Sequence, residues 1–426
     1  MLLRYLFERI VRFGTLNVVD AGGRVYRFGN GDGPRSTIRL RSRKLHYKLL
    51  IHPSLYLGEA YMDGTLTFEE GELYDFLELM LSNMERQERP PVQIHYDSLQ
   101  RWLRPFGTFN YLSRAKRNVA HHYDLSGRLY ELFLDKDRQY SCAYFTSDNE
   151  SLEIAQDNKK RHIASKLRLA RGHKVLDIGS GWGGLGLYLA RVADAVEVTG
   201  VTLSQEQLAV SRQRAVEAGL ADRVNFALSD YREVEGSFDR IVSVGMFEHV
   251  GPGYYADFFA KVKELLSDDG VCLLHSIGRM EPPGGTNAWL KKYIFPGGYT
   301  PALSEVLAAV EKVGLWVTDI EILRVHYART LREWRRRFTA NRREILELYD
   351  ERFWRMWDFY LTSCEVAFRY MRQMVMQIQI TKRLDTLPLT RGYMFDWERE
   401  HATQGDVTPP TQLRGGSIPP PRVAAV

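Results

Sequence analysis

The sequence contains few cysteines and no long apolar run, and both absences narrow the class of protein. Its 426 residues include three cysteines, Cys142, Cys272 and Cys364. They are too few and too far apart to indicate a disulfide framework or a zinc knuckle. No window reaches the roughly 18 consecutive apolar residues that a membrane-spanning helix needs. Four charged residues interrupt the first 12 positions, so the start predicts a short amphipathic helix rather than a signal peptide.

Charge is moderate and is not concentrated in one sign. The formal net charge is +5, with 26% charged and 44% hydrophobic residues, as in an ordinary globular protein. The length allows two domains with cores of their own, at roughly 100–200 residues per domain. The small positive excess indicates an anionic partner without identifying it. We expect a cytoplasmic protein with no nucleic-acid partner.

Three regions follow from the pattern along the chain. Residues 1–118 combine a short helix, strand-like alternation and an apolar-striped helix, which indicates a small α+β domain. Residues 119–390 contain strands that alternate with helices, which predicts an α/β domain with a mostly parallel, doubly wound, Rossmann-like sheet. After about residue 330 the pattern predicts only helices, as additions that form a lid. Residues 391–426 end in a proline-rich stretch and predict a disordered tail.

Basic residues cluster in the N-terminal region and again after residue 330. Each cluster is either a solvated face or a contact with anionic lipid headgroups, which is worth roughly 1 kcal/mol per basic residue close to a membrane. The sequence leaves both interpretations open. The clusters are Arg35, Arg39, Arg41, Arg43, Lys44 and Lys48, then Arg101, Arg104, Arg114, Lys116 and Arg117, and finally Arg332, Arg335, Arg336, Arg337, Arg342 and Arg343.

A glycine-rich turn follows the first strand of the alternating region. Gly179, Gly181 and Gly183 let a ligand approach the backbone closely, and the helix after them offers free N–H groups. Asp177 lies two positions before the first glycine, which gives the D-x-G-x-G-x-G pattern of S-adenosylmethionine (SAM)-dependent methyltransferases. The dinucleotide fingerprint places its third glycine one position further on. The turn therefore predicts a SAM site.

The next two strands end in residues that are candidates for the same ligand. Thr202 ends the second strand and Gln207 follows on the first helical turn, where both side chains reach a ribose or adenosine. Gln207 has an alternative role as the capping-box partner of Ser204. After the third strand, Asp230 is predicted to accept a hydrogen bond from the adenine amine, and Tyr231 to pack on the ring.

Nine motifs between about residues 120 and 370 carry a family resemblance. They are HHYDLSGRLYELFLD, YSCAYF, VLDIGSGWGG, GVTLSQEQ, FDRIVSVGMFEHVG, LLHSIG, KYIFPGGYTP, HYARTLREW and FYLTSCEVAFR. In this order they resemble the bacterial cyclopropane-fatty-acyl-phospholipid synthases and, less closely, the mycolic acid cyclopropane synthases. The N-terminal region is more loosely similar to the family's small lipid-binding and dimerisation domain. Ser180 departs from the pattern, since many members have cysteine there.

The resemblance implies a reaction and a set of residues. A SAM methyl group would be added to the cis double bond of an unsaturated phospholipid in the bilayer, and loss of a proton would close a cyclopropane ring, with bound bicarbonate as the base. The protein would be a homodimer, peripherally attached to an anionic membrane surface at the inner face. Implied bicarbonate contacts are Cys142, Glu248, His275, Ile277 (through its N–H) and Tyr327. Tyr140 and Ser141 match cofactor-contacting positions, and Cys364 matches a position often described as the active-site cysteine.

The chemistry of this reaction is consistent with those residue types. A carbocation-like centre requires a dry pocket, and aromatic faces stabilise it through cation–π attraction. In such a pocket His275 and Tyr327 would donate hydrogen bonds to bicarbonate, and Glu248 would accept its O–H group. Cys364 lies in a helical pattern with no adjacent base, so we interpret it as lining rather than nucleophilic. Candidate aromatic walls are Phe247, Tyr293, Phe295, Tyr299, Trp334 and the aromatic residues at 353–360.

Three other functions remain possible at this point. The cation intermediate could yield a methyl branch or an exomethylene group instead of a ring, and the residues around Glu248 and Tyr327 do not decide between these products. A non-catalytic lipid-binding protein is the alternative from another class, and the intact glycine turn argues against it. A generic small-molecule or protein methyltransferase would leave the N-terminal domain and the aromatic helices at 331–370 unexplained.

Overall fold

The structure is a computed structural model that describes residues 3–86 and 126–402. The first of these ranges forms a four-stranded sheet in the order β2-β1-β3-β4, with helices against it. Strand β1 pairs antiparallel with β2 and parallel with β3, and β3 pairs antiparallel with β4. This is the predicted α+β arrangement. Its elements are α1 (Arg4–Ile10), β1 (Thr15–Val19), β2 (Val25–Phe28), β3 (Arg35–Leu40), α2 (Arg43–Ile51), α3 (Pro53–Met62), β4 (Leu66–Glu70) and α4 (Leu73–Glu85).

The second range forms a seven-stranded sheet in the order β10-β11-β9-β8-β5-β6-β7. Five neighbouring strands from β9 to β7 run parallel, as the alternation of strands and helices predicts. The chain order reverses between β5 and β8, which is where ligands bind in sheets of this type. The strands are β5 (Lys174–Ile178), β6 (Glu197–Thr202), β7 (Val224–Leu228), β8 (Phe238–Val244), β9 (Leu266–Arg279), β10 (Trp316–Ile322) and β11 (Gln373–Thr381).

Helices cover both faces of this sheet and extend over its carboxyl edge. The first group, up to the end of β9, is α5 (Gly127–Phe133), α6 (Leu152–Lys166), α7 (Gly184–Val192), α8 (Gln205–Glu217) and α9 (Tyr255–Leu265). The second group is α10 (Ala288–Tyr293), α11 (Leu303–Lys312), α12 (His326–Ala340), α13 (Arg342–Leu348), α14 (Glu351–Tyr370) and α15 (Gly392–Glu400). None of the described helices is both long and apolar enough to cross a bilayer.

Strand β11 corrects the prediction that the chain is purely helical after residue 330. It lies between β10 and β9 and pairs antiparallel with both. Its residues do alternate between polar and apolar, but the polar ones are buried too. Gln377 contacts the ring of His275, and Gln379 donates to the backbone carbonyl of Lys166. The alternation is itself a sequence signal of a strand, and the prediction overlooked it. Only the burial of the polar face could not be inferred from the sequence.

Helix α15 lies inside the range predicted to be a disordered tail, which moves the start of any tail beyond it. Its Glu398 contacts the Nδ1 atom of His162, and Gln379 donates to the hydroxyl of Tyr393 at 2.7 Å. A helix of nine residues is marginal alone and depends on such packing, which local sequence does not reveal. The proline-rich residues 403–426 lie outside the described residues.

The N-terminal sheet shares one continuous hydrophobic core with helices of the second range. Helix α14 packs against α3 and α4, and one cluster of buried residues runs from α1 to Val375 on β11. Tyr61 donates to Asp358 at 2.7 Å, and Tyr370 donates to Glu78 at 2.7 Å. The predicted domain boundary at residue 118 lies outside the described residues.

Candidate active site

A cavity of about 370 Å³ lies at the carboxyl ends of β5, β6 and β8. Nine of the ten residues predicted to bind the cofactor line it. They are Tyr140, Ser141, Asp177, Gly179, Gly181, Thr202, Gln207, Asp230 and Tyr231. The predicted cofactor residues therefore converge, although they come from a segment before α6 and from three separate strand ends.

The glycine turn fits tightly between β5 and α7. Gly179 has φ of 85°, and a Cβ there would lie 2.8 Å from the Cβ of Met246. Gly183 is the tenth predicted residue and lies behind the cavity wall, where it caps α7 with φ of 81°. A Cβ on Gly183 would lie 2.7 Å from the ring of Phe226 on β7. Both positions combine a left-handed backbone with close contact, so glycine is required for the shape of the turn.

Asp177 brings a buried carboxyl to the cavity. It is 2% exposed, and its Oδ2 atom has no hydrogen-bond partner among the described residues. Burial raises the pKa of this carboxyl to about 7, while the positive charge of Lys159 opposes the shift. Buried polar atoms are rarely left without partners. The unpaired oxygen therefore fits an amine or hydroxyl group of a bound ligand.

The end of β6 combines helix capping with cavity lining. Ser204 caps α8, since its hydroxyl accepts from the Gln207 N–H at 3.3 Å. The side chain of Gln207 does not complete a capping box. Its Oε1 atom accepts from Thr202 at 2.9 Å, and the Ser204 N–H donates to the Thr202 hydroxyl at 3.2 Å. Gln207 thus serves the cap through its backbone and lines the cavity with its side chain.

Asp230 is engaged more fully than the sequence predicted. Its two oxygens accept from Nε and Nη2 of Arg232 at 2.8 and 2.7 Å, and Oδ1 also accepts from the Arg232 N–H. The acceptor capacity assigned to an adenine amine is thus largely used within the chain, and Arg232 itself lines the cavity. Tyr231 forms a wall, with its ring centroid 5.3 Å from that of Phe258.

Glu248 lies in a one-turn 3₁₀ helix directly after β8, against the end of β9. Its Oε1 atom accepts from the Ile277 N–H at 2.6 Å, so the N–H predicted to face the anion is used by this carboxyl. The Oε2 atom is buried without a hydrogen-bond partner among the described residues. Burial raises the pKa of Glu248 to about 7, although the Ile277 N–H and the Ser276 hydroxyl favour the charged form. This carboxyl is therefore close to its titration point at neutral pH.

His275 is a buried neutral imidazole on β9. Burial, reinforced by the charges of Lys159 and Lys166, lowers its pKa to about 3. The Gln377 side-chain nitrogen lies 3.2 Å from Nδ1. If that amide donates to Nδ1 as it is oriented, the ring proton lies on Nε2, which is then a hydrogen-bond donor.

Aromatic rings connect the cavity wall to Tyr327. Tyr140 stacks on Trp334 with ring centroids 5.1 Å apart, and Trp334 lies edge-on to Tyr327 at 5.8 Å. The Tyr140 hydroxyl lies 2.8 Å from that of Tyr360. Tyr327 also contacts Phe368, at 4.8 Å. An apolar, aromatic region therefore adjoins the cavity.

The other aromatic residues proposed as walls have separate contacts. Phe295 lies 5.6 Å from the ring of Tyr360 and belongs to the same region. Phe247 stacks on Tyr255 of α9 with ring centroids 4.4 Å apart, so it packs in the hydrophobic core with α9 rather than in the aromatic region near Tyr327. The Tyr293 hydroxyl donates to Glu59, and that of Tyr299 donates to Glu305.

All three cysteine thiols are held in the neutral form by burial. Cys142 is 1% exposed, its Sγ donates to the Ala143 carbonyl, and burial raises its pKa well above the usual range. Cys364 lies mid-helix on α14, and burial raises its pKa to about 12. Cys272 lies within β9, where burial also raises its pKa to about 12. These are poor conditions for a thiolate nucleophile.

Other residues of the site were missed or interpreted differently from the sequence. Lys159 and Gln156 of α6 lie under the cavity and bond residues that line it, and Trp182 and Met246 line it directly. His249, the neighbour of Glu248, also lines the cavity. The available signal was the spacing of three between Gln156 and Lys159, but polar residues at such a spacing usually mark a solvated face.

The arginines of α12 and α13 are paired with carboxylates of this chain. Arg335 and Arg337 are the most buried of the six, with partners Asp358 and Glu153 at 2.8 Å. The remaining pairs are Arg332–Glu365, Arg336–Glu333, Arg342–Glu351 and Arg343–Glu347. These contacts connect α12 to α6 and α14, so the cluster includes structural ion pairs as well as a solvated face.

Comparison with known families gives two matches along the chain. Residues 111–378 match the family model described as mycolic acid cyclopropane synthetase. Residues 3–89 match a domain family of unknown function. The first match contains the glycine turn, the Glu248 region and helices α12 and α14. The second contains the four-stranded sheet.

Individual relatives extend over most of the chain. It is 39% identical over 342 residues to the cyclopropane-fatty-acyl-phospholipid synthase of Escherichia coli, covering 80% of this chain and 86% of that protein. It is 37% identical over 357 residues to a probable fatty acid methyltransferase of Pseudomonas putida, with the same coverages. Among solved structures, the mycolic acid cyclopropane synthase CmaA1 complexed with SAH and CTAB superposes with a TM-score of 0.59 at 33% identity, covering 62% of this chain and 97% of that one.

Proposed function

Because the chain belongs to the mycolic acid cyclopropane synthetase family and is a SAM-dependent transferase, we propose that it adds a methylene carbon to the cis double bond of an unsaturated phospholipid acyl chain. The product is a cyclopropane ring. The observation that carries the proposal is the junction of the cofactor cavity with the aromatic region of Tyr140, Trp334 and Tyr327. An acyl chain needs an apolar site next to the methyl donor.

The cavity residues provide distinct contacts for SAM. SAM supplies an electrophilic methyl group on a sulfonium centre when bound. The Asp177 carboxyl accepts a hydrogen bond through its unpaired oxygen, and the glycine turn brings backbone N–H groups close to the ligand. Tyr140 places an aromatic face at the side of the cavity that adjoins Trp334. Such a face stabilises positive charge and helps to exclude water.

Bicarbonate is the base in this proposal, and Glu248, His275 and Tyr327 would hold it. The unpaired Oε2 atom of Glu248 fits the ion's O–H group, because it is a buried acceptor without a partner among the described residues. The neutral ring of His275 would donate from Nε2, and the Tyr327 hydroxyl would donate from the aromatic side. Cys142 remains a predicted neighbour of the ion, whereas the Ile277 N–H holds Glu248 and so acts on the ion only through that carboxyl. A weak base suffices if it is correctly placed, because the proton leaves a cationic carbon species.

We further propose that the protein acts as a homodimer at the cytoplasmic surface of an anionic membrane. An exposed face of α2 supports the membrane contact, since it combines basic with apolar side chains at helical spacing. That face includes Lys44, Tyr47, Lys48 and Ile51, of which Tyr47 is 60% and Ile51 80% exposed. Mixed basic and apolar faces bind anionic bilayers peripherally. In this proposal residues 1–118 form the lipid-binding and dimerisation domain and residues 119–390 the catalytic domain.

A second candidate product is a methyl branch or an exomethylene group. It is favoured by one comparison, since the Pseudomonas putida relative is named as a probable fatty acid methyltransferase. The same cavity would serve both reactions. An exomethylene group forms when the cation loses a different proton, whereas a saturated methyl branch also requires a hydride donor that reduces the cation.

Mass spectrometry of membrane lipids tests the proposal directly. The chain is expressed in a bacterial host that lacks such enzymes. A gain of one CH₂ on monounsaturated chains that resists hydrogenation indicates a ring. A saturated methyl branch instead gains CH₂ and two further hydrogens, and fragmentation locates the branch. A hydrogenation-sensitive product indicates exomethylene. Unchanged lipids, together with failure of the purified protein to bind SAM by calorimetry, would favour a non-catalytic lipid-binding protein.

A further inference from the structure

A short segment between α5 and α6 crosses the edge of the cofactor cavity without regular secondary structure. We call residues 135–142 the strap. Arg138, Gln139, Tyr140 and Ser141 of the strap line the cavity. Cys142, the last residue of the strap, is one of the predicted bicarbonate contacts. Because the strap has no helix or strand to fix it, its position depends on side-chain contacts.

One row of side chains on α6 holds the strap from below. Gln156, Lys159 and Lys160 lie three and four positions apart and so share one helix face. The Gln156 amide donates to the carbonyls of Ser141 and Gln139 at 3.0 and 3.3 Å. Lys160 donates to Asp137 at 2.7 Å.

Lys159 makes the contacts closest to the cavity. Its Nζ donates to Oε1 of Gln139 at 2.6 Å and to the hydroxyl of Ser141 at 2.8 Å. Both acceptors belong to residues that line the cavity, and they flank Tyr140.

The surroundings of Lys159 are unusual for a lysine. Its side chain is completely buried, and the carboxyl groups of Asp135 and Asp177 are near enough to influence it. Burial lowers the pKa of the ammonium to about 8, against the charge of Asp135. Burying a charged group costs free energy unless its partners compensate. An apolar or amide side chain would fill the same space at lower cost.

We propose that Lys159 is a positioning residue that fixes the strap at the cofactor cavity and thereby sets the affinity for SAM. Neither the glycine turn nor the family motifs assign it this role. Its two hydrogen bonds hold Gln139 and Ser141, and so fix the backbone that carries Tyr140 between them. The inference rests on the proposed assignment of this cavity to SAM.

The experiment compares the full-length Lys159→Met and Lys159→Arg variants with the wild type. Methionine keeps the length and apolar packing of the lysine stem but removes the charge and both donors. Amide hydrogen exchange is measured without cofactor on peptides that cover the strap and, separately, β5 and β9. SAM affinity is measured by calorimetry, and KM and kcat by turnover.

We expect strap exchange to rise at least tenfold in Lys159→Met while exchange in β5 and β9 stays within twofold. The Kd and KM for SAM rise about tenfold, and kcat at saturating SAM changes less. Lys159→Arg restores most of the affinity, because a guanidinium keeps the charge and several donors. The matched control is Lys136→Met, which removes an exposed lysine of the same strap and leaves every readout unchanged.

Two results would overturn the inference. One is a Lys159→Met variant whose strap exchange and SAM affinity stay within twofold of the wild type. The other is exchange that rises equally in the strap, β5 and β9, which would make Lys159 a general stability residue. Failure of the wild type to bind SAM would count against the proposed function instead, whereas strap exchange, measured without cofactor, still tests the contact made by the lysine.

Discussion

Two buried carboxyl groups of the candidate site have different surroundings. Asp177 lies at the cofactor cavity, and Glu248 lies against the end of β9. Burial raises the pKa of both Asp177 and Glu248 to about 7, and each has one oxygen without a partner among the described residues. Asp177 lines the cavity and is influenced by the ammonium of Lys159. Glu248 lies outside that lining, and a backbone N–H, that of Ile277, holds its other oxygen.

We expect this difference to give the two carboxyls different tasks although their pKa values are similar. A carboxyl beside a buried ammonium is stabilised in its charged form and is suited to holding a ligand. A carboxyl held by a neutral N–H next to the end of β9 can accept a proton donor and remain close to its titration point. A perturbed pKa marks a candidate functional group, but the partners decide its role.

Of the variants considered, Glu248→Gln should distinguish the role of Glu248 from that of the cofactor cavity most strongly. Turnover should fall on the order of 10²–10⁴-fold, the range that general acid–base catalysis contributes, because the proposed base, bicarbonate, loses the acceptor that holds its O–H group. SAM affinity, measured by calorimetry, should stay within about threefold, because Glu248 lies outside the cavity lining. A variant that keeps more than a tenth of the wild-type turnover would contradict the assigned role.

Stability should depend on pH through both carboxyls in the same direction. A carboxyl whose folded pKa is raised keeps its proton at pH values where the unfolded chain has released it. The contribution of these two carboxyls to the free energy of unfolding should therefore fall as pH rises from about 4.5 to 7, by about 1.4 kcal/mol per unit of pKa shift, whereas the lowered pKa of His275 contributes a rise over the same range. Denaturant titrations across this range measure the slope. Glu248→Gln and Asp177→Asn should each make the slope of the free energy of unfolding against pH more positive than in the wild type. An unchanged slope in both variants would contradict the burial argument.

Asp177→Asn should mainly weaken SAM binding. Hydrogen bonds to charged groups are worth about 1.5–3 kcal/mol, so Kd should rise roughly 10- to 100-fold. Turnover at saturating SAM should recover to within about fivefold of the wild type. A loss of turnover that saturating SAM does not relieve would show that Asp177 and Glu248 do not divide the tasks in this way.

Tyr327→Phe should affect only the anion side of the site. Loss of one hydroxyl donor should lower turnover at least about tenfold at ambient bicarbonate, since a hydrogen bond to a charged group is worth about 1.5 kcal/mol or more. Bicarbonate depletion should slow the variant more than the wild type. Equal sensitivity of the two proteins to bicarbonate, in lipid-conversion assays, would remove Tyr327 from the proposed pocket.

Cys364→Ser should have the smallest effect. The thiol is neutral and lies mid-helix, so no covalent role is expected. Turnover should remain within about threefold, and SAM affinity should not change. Abolished turnover in a folded Cys364→Ser protein would reverse our interpretation of this residue as lining.

Much of the fold could be predicted because its signals are local. The alternation of strands and helices from β5 to β10 follows from apolar periodicity, and the glycine turn from its spacing. Strand β11 carried an alternating pattern that the prediction overlooked. The burial of Gln377 and Gln379 could not be recognised, because these polar residues find partners only in the folded chain. Helix α15 was missed for a similar reason, since its contact with His162 joins positions far apart in sequence.

The structure brings together the predicted cofactor residues that belong to sequence motifs. Nine of the ten predicted cofactor residues line one cavity. One of these nine, Asp230, is already bonded to Arg232. The role of helix α6 was invisible, because a stretch with Lys159, Lys160 and His162 has the composition of a solvated helix. Most of that helix is in fact buried.

The sequence by itself determined the order of strands and helices, the glycine turn and the types of side chain at the strand ends, because these depend on neighbours along the chain. Only the tertiary structure decided which charges lie inside and what meets them. Lys159 under the strap, Glu248 with one unpaired oxygen and the neutral His275 all result from desolvation. Desolvation depends on segments that are distant in sequence and meet only when the chain has folded.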